Sequence, residues 1–143
     1  EGYRNALKSK GIDINEKLIR HTKNNENIQV IENGYKLMNE LLESGEEFTA
    51  VYSISDSMAI GACKAILDSG KRIPQDYSVV GFDGLDITYY YNPSITTIRQ
   101  PVEAMARETT KILFDLINNK ATNQHKVFEA ELVERESTLK LSK

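Results

Sequence analysis

Residues 78–101 read SVVGFDGLDITYYYNPSITTIRQP, and the parsing of this stretch decides the fold. Val79, Val80 and Phe82 form an apolar run too short for a helix, and Gly81 and Gly84 mark places where backbone turns sharply or comes close to a neighbour. Asp83 therefore falls at the carboxyl end of a buried strand. A second short strand and a helix start complete the stretch. In an open parallel α/β sheet, ligands bind at the carboxyl ends of the strands, because the crevice opens there and helix N-termini point into it. A carboxylate at that spot either accepts hydrogen bonds from a polar ligand or bonds its own turn backbone. Position alone leaves both open.

Working upstream, residues 48–54 (FTAVYSI) are short and β-rich, and Ser55-Asp56-Ser57 offers capping side chains for a helix over residues 58–69, closed by Gly70. Asp56 is expected to accept bonds from the N–H groups of that helix's first turn, leaving Ser55 free to face the crevice. Cys63 shares the apolar face with Ala59, Ala62 and Ile66, so it reads as a small buried hydrophobe and not as a nucleophile. Before this unit, Val30, Leu37, Met38, Leu41 and Leu42 recur at the spacing of one helix face over residues 28–44, with Gly45 as the stop. Residues 3–10 form an earlier helix ended by Gly11, and residues 20–27 (RHTKNNEN) form a polar loop. His21 and His125 have no acidic or cysteine partner at metal-ligand spacing and read as solvated side chains.

Downstream of Asp83 come Tyr89, Tyr90 and Tyr91 in a row, more aromatic surface than one small core absorbs. They either form an interface or lie flat on their own domain. Pro101 suits a first helical position, and Val102, Met105, Ala106, Thr109, Ile112, Leu113, Leu116 and Ile117 form a nearly unbroken apolar stripe. Residues 127–134 (VFEAELVE) alternate apolar and acidic, as a strand with one wet face does.

The bulk numbers bound the function. A chain of 143 residues, 40% apolar and 27% charged, makes one globular domain, and no run approaches the roughly 20 apolar residues of a membrane span. A formal charge of -3 is wrong for a phosphate-binding surface, so this chain alone is not expected to bind DNA. One cysteine excludes an internal disulfide and points to a reducing, cytoplasmic compartment. The opening EGYRNAL is already helical in character, which reads as a fragment of a longer protein. No Gly-rich phosphate loop, paired carboxylates or Ser/His/Asp spacing is found, so neither an enzyme nor a cofactor is expected.

Three segments taken jointly resemble one family: residues 48–61 (FTAVYSISDSMAIG), residues 73–83 (IPQDYSVVGFD) with 93–101 (PSITTIRQP), and residues 132–138 (LVEREST). They are similar to the carboxyl-terminal half of the effector-binding region of LacI/GalR-type bacterial transcription regulators, and EGYRNAL with Gly11 fits the helix that begins that half. The resemblance implies a three-layer α/β/α open, mostly parallel sheet, the second lobe of a fold like that of periplasmic sugar-binding proteins. Residues 1–98 and 127–143 would belong to that lobe, and 99–126 to a crossover and helix of the first. It further implies a small polar effector, a sugar or derivative, held between lobes with Asp83, Ser55 and Gln100 in contact. Gln29 occupies the position of the family's aromatic stacker. A homodimer through Ile60, Lys64, Tyr89, Tyr90 and Tyr91 is implied too, with operator DNA bound by a helix-turn-helix absent from this chain. A transport protein of the same fold is the alternative.

Overall fold

The computed structural model describes residues 1–22, 30–120 and 125–140. Helix α1 (Gly2–Ser9) and a 3-10 turn (Glu16–Leu18) precede helix α2 (Val30–Glu43). Strand β1 (Ala50–Tyr52), helix α3 (Asp56–Asp68) and strand β2 (Ser78–Asp83) form the expected strand–helix–strand unit. Helix α4 (Ile87–Tyr90), strand β3 (Thr96–Arg99), helix α5 (Val102–Ile117) and strand β4 (Glu131–Val133) follow. The strands lie in the order β1-β2-β3-β4; β1, β2 and β3 are parallel, and β4 is antiparallel to β3. The class is the α/β, open, mostly parallel one.

Two strands are shorter than their sequence patterns suggest. Phe48 leaves the expected first strand to stack on Tyr77, with ring centroids 4.9 Å apart. In β4, Glu131 already pairs with Arg99 at the end of β3, so residues 127–130 run past the last available partner. Pro101 stands just before α5, not in its first turn. There the Val102 N–H bonds back to the Gln100 carbonyl at 2.9 Å, with Pro101 at φ -79° and ψ 63°, an inverse γ-turn.

The core gathers Met38, Ala59, Ala62, Cys63, Ala65, Ile66, Ile73, Val79 and Ile95. Cys63 is fully buried, and desolvation pushes its thiol up to about 12, which keeps it protonated and inert. Helices α2 and α3 cross so closely that Gly34 and Gly61 are required: a Cβ at Gly34 would meet the Met58 carbonyl oxygen at 2.2 Å. Helix α5 behaves differently. None of its residues is buried, and Val102, Leu113, Phe114 and Ile117 are exposed.

The carboxyl-terminal segment is a staple. Ser137, fully buried, accepts from the Thr96 N–H at 2.8 Å and donates to the Val79 carbonyl at 2.6 Å, bridging β2 and β3 where they begin. Glu136 accepts from both the N–H and the hydroxyl of Ser94, which draws its carboxyl below the usual range. Arg135 donates to the Ile95 carbonyl at 2.9 Å and lies over the Tyr89 ring at 5.7 Å. The charged run ERES is thus built into the sheet.

Candidate functional site at the strand ends

Three parallel strands end on one edge of the sheet, and each brings a sequence-predicted residue there. Ser55 follows β1, Asp83 closes β2, and Gln100 follows β3, whose Arg99 is in register with Asp83. Asp83 and Gln100 meet: the Gln100 Nε2 donates to Asp83 Oδ1 at 2.9 Å, and the Gln100 N–H donates to the Asp83 carbonyl at 3.3 Å. Both side chains are half-buried, and among the described residues nothing bonds the second Asp83 oxygen or the Gln100 side-chain carbonyl oxygen, so both can take a polar partner. Gln29 lies outside the described residues.

Asp83 also carries backbone strain. Its φ is +126°, a region in which side-chain-bearing residues are rare and which costs about 1–3 kcal/mol. The following Gly84 has φ +82°, and a Cβ there would lie 2.7 Å from Arg99 Cγ. Such strain persists only where the surroundings over-determine it.

The cap assignment is corrected. Ser55, extended at φ -149° and ψ 155°, is the N-cap of α3, its hydroxyl oxygen accepting from the Met58 N–H at 3.2 Å. Asp56 is the first helical residue, where its side chain points away from the first-turn amides and under the sheet edge. It is fully buried, and its Oδ2 accepts from the N–H groups of Gly84 at 2.9 Å and Leu85 at 2.7 Å. Its Oδ1 accepts from the Thr97 hydroxyl at 2.6 Å. The positive end of the α3 dipole favours a negative charge there as well. Sequence reasoning missed Thr97 and this role of Asp56; the signal available was Gly81 in a strand interior, since a Cβ there would lie 2.2 Å from Asp56 Oδ1.

The tyrosine run divides. Tyr91 is half-buried against the core, and desolvation raises its phenol above the ordinary value. Tyr89 and Tyr90 are 63% and 77% exposed and pack edge to face at 5.2 Å. On α3, Ile60 is half-buried, while Lys64 is exposed, paired with Asp68, and lines an open hollow of about 670 Å³ with Ile31 and Tyr35. A second cleft, of about 640 Å³, runs along β1 between residues 18–22 and α2; Asp83 and Gln100 are not among its lining residues. The strand ends, where polar side chains converge, are the better candidate for a polar ligand.

Residues 1–138 match the family of periplasmic binding protein-like domains. The transcriptional regulator MalR of Clostridium butyricum is 43% identical over 137 residues, covering 96% of this chain and 39% of that protein. A sugar-binding LacI-family regulator from Escherichia coli, solved in complex with phosphate, superposes with a TM-score of 0.84 at 34% identity, over 96% of this chain and 48% of the other. The regulator CelR in complex with cellobiose gives 0.85 at 33% identity, over 95% of this chain and 40% of the other. The chain belongs to the periplasmic binding protein-like family, in the form carried by LacI/GalR-type transcription regulators. It spans about two fifths of the length of the curated relatives it matches. Among the described residues, no helix is long and apolar enough to cross a membrane.

Proposed function

We propose that this chain is the effector-sensing part of a bacterial transcription regulator, a repressor, that binds a small polar molecule, a sugar or derivative, without transforming it. The carrying observation is the Asp83–Gln100 pair at the carboxyl ends of parallel strands, with Asp83 held at φ +126°, a strained conformation of the kind that gathers at functional sites. Ser55 and Gln29 complete the effector contacts in this reading. Relatives complexed with cellobiose and with phosphate support a polar ligand. Residues 1–98 and 127–143 form the second of two lobes, and residues 99–126 carry the chain across to the first, against which the exposed stripe of α5 packs. Operator DNA is held by a helix-turn-helix outside this chain, a reading in keeping with the net charge of -3. The protein works as a cytoplasmic homodimer.

The test is a thermal-shift screen of sugars and sugar phosphates, cellobiose included, followed by calorimetry on site variants, since a ligand of the folded state raises its melting temperature. Asp83→Ala is expected to weaken effector binding by about 2 kcal/mol or more through loss of charge-assisted bonds. Asp83→Gly should lose binding equally while melting higher than Asp83→Ala, by about 1 kcal/mol, because glycine tolerates φ +126°. Undiminished affinity in either folded variant removes Asp83 from the site.

The dimer reading yields its own prediction. Tyr89 and Tyr90 are the exposed part of the tyrosine run, so Tyr90→Asp should weaken self-association by about 1–2 kcal/mol, whereas a change at half-buried Tyr91 acts on folding first. Sedimentation of the two proteins across a dilution series measures this, and identical dimer dissociation would place the interface elsewhere.

A further inference from the structure

Asp56 is the buried ionisable group that the effector contacts leave unexplained. No part of it reaches solvent, and both its oxygens are taken, Oδ2 by the N–H groups of Gly84 and Leu85 and Oδ1 by the Thr97 hydroxyl. The two amides belong to the residues directly after Asp83. At φ +126° the Asp83 backbone resists its own conformation, so the peptide units that follow must be held from outside. On the described geometry Asp56 holds them from below, and Gln100 restrains the side chain from the neighbouring strand.

The chemistry favours a carboxylate. Three donors converge on Asp56; an amide there could keep its oxygen on the Gly84 and Leu85 N–H groups, but its NH2 would face Thr97 Oγ1, which would have to stop donating to residue 56, and all the bonds would lose their charge assistance. Strand β2 has given up a side chain at Gly81 to make room for this group, since a Cβ there would lie 2.2 Å from Asp56 Oδ1.

We propose that Asp56 is a positioning residue of the effector site: by anchoring the Gly84 and Leu85 amides and the Thr97 hydroxyl, it fixes the turn that sets the direction of the Asp83 carboxylate. The proposal rests on the reading of Asp83 as an effector ligand. A residue that only stabilised the fold would lower the melting temperature without moving Asp83 in the folded molecule. Asp56 does both.

The test needs no effector. The protein expressed from its complete coding sequence is labelled with 15N at glycine, leucine and glutamine and compared as wild type, Asp56→Asn and Ile66→Val, the last a core substitution in α3 that removes one methylene far from the turn. In Asp56→Asn, exchange of the Gly84 and Leu85 amides is expected to rise about fivefold or more, because both bonds lose the charge of their shared acceptor oxygen. The Gln100 side-chain amide signals, which report the bond to Asp83, shift with it. In Ile66→Val neither changes. Should Asp56→Asn fail to fold, Thr97→Val removes the hydroxyl that donates to Asp56 Oδ1 and accepts from the Gly84 N–H at 3.3 Å, so the Leu85 amide and the Gln100 signals are then the readouts. A folded variant whose Gln100 signals stay in place, or a core control that moves them equally, overturns the proposal. Effector calorimetry on Asp83→Ala decides the separate question of whether Asp83 is a ligand, so the two failures are distinct.

Discussion

Gly61→Ala is expected to destabilise the fold by about 3 kcal/mol or more, although the same change in an exposed helix interior stabilises by about 1 kcal/mol. The sign reverses because the new Cβ would lie 2.0 Å from the Ile31 carbonyl oxygen and 2.7 Å from the Tyr35 nitrogen, and both belong to the α2 backbone. A flexible side chain could swing aside; a helix backbone must translate. Lifting α2 by an ångström parts it from α3 and uncovers Met38, which is 1% exposed in the intact core. Gly34 makes the reciprocal contact with Met58, so Gly34→Ala should cost a similar amount, and the double variant much less than the sum, because the helices need to separate only once. Urea unfolding of the three variants measures this. A Gly61→Ala protein within about 1 kcal/mol of wild type would show that α2 and α3 do not cross backbone to backbone.

The parts of this architecture that follow from periodicity were legible in the sequence. Leu37, Met38, Leu41 and Leu42 mark the inward side of α2 by spacing, whereas Val30, which shares that spacing, is exposed at the helix's first residue; the short apolar run before Asp83 was too short for a helix and is a strand. The strand-end location of Asp83 followed from that run, and Gln100 came from family resemblance and not from any physical rule. What could not be read was which of Ser55, Asp56 and Ser57 caps α3. All three residues are cap-competent, and the choice turns on a one-residue shift in where the backbone leaves the extended conformation. Arg135, Glu136 and Ser137 escaped for a related reason: their bonds run to backbone groups about 40 to 60 residues away, and a side chain bonded to remote backbone leaves no periodic trace. The tyrosine run was half legible, as an excess of aromatic surface; its division into an inward Tyr91 and outward Tyr89 and Tyr90 depends on the single turn of α4.

Asp56 and Gly81 form a second pair with strong energetic coupling. Asp56→Ala leaves the Gly84 and Leu85 amides and the Thr97 hydroxyl without their acceptor, and bonds to a charged group contribute about 1.5–3 kcal/mol each. Leu85 is 42% exposed, so water takes over part of that loss, and a total near 3 kcal/mol is expected. Gly81→Ala alone should cost about 2–3 kcal/mol, since its methyl would displace the carboxylate from 2.2 Å and disturb the same three bonds. Once residue 56 is alanine, that obstacle is gone. The remaining neighbour, Ala59 Cβ, stands at 3.4 Å, an ordinary contact, and an alanine in a strand interior orders more readily than a glycine. The double variant is therefore expected to be no less stable than Asp56→Ala alone, a coupling of about 2 kcal/mol or more. Thermal or urea unfolding of the four proteins closes the cycle. Additive losses would mean that the Asp56 carboxylate does not lie over residue 81, and with it would fall the account of why this strand carries a glycine two residues before its aspartate.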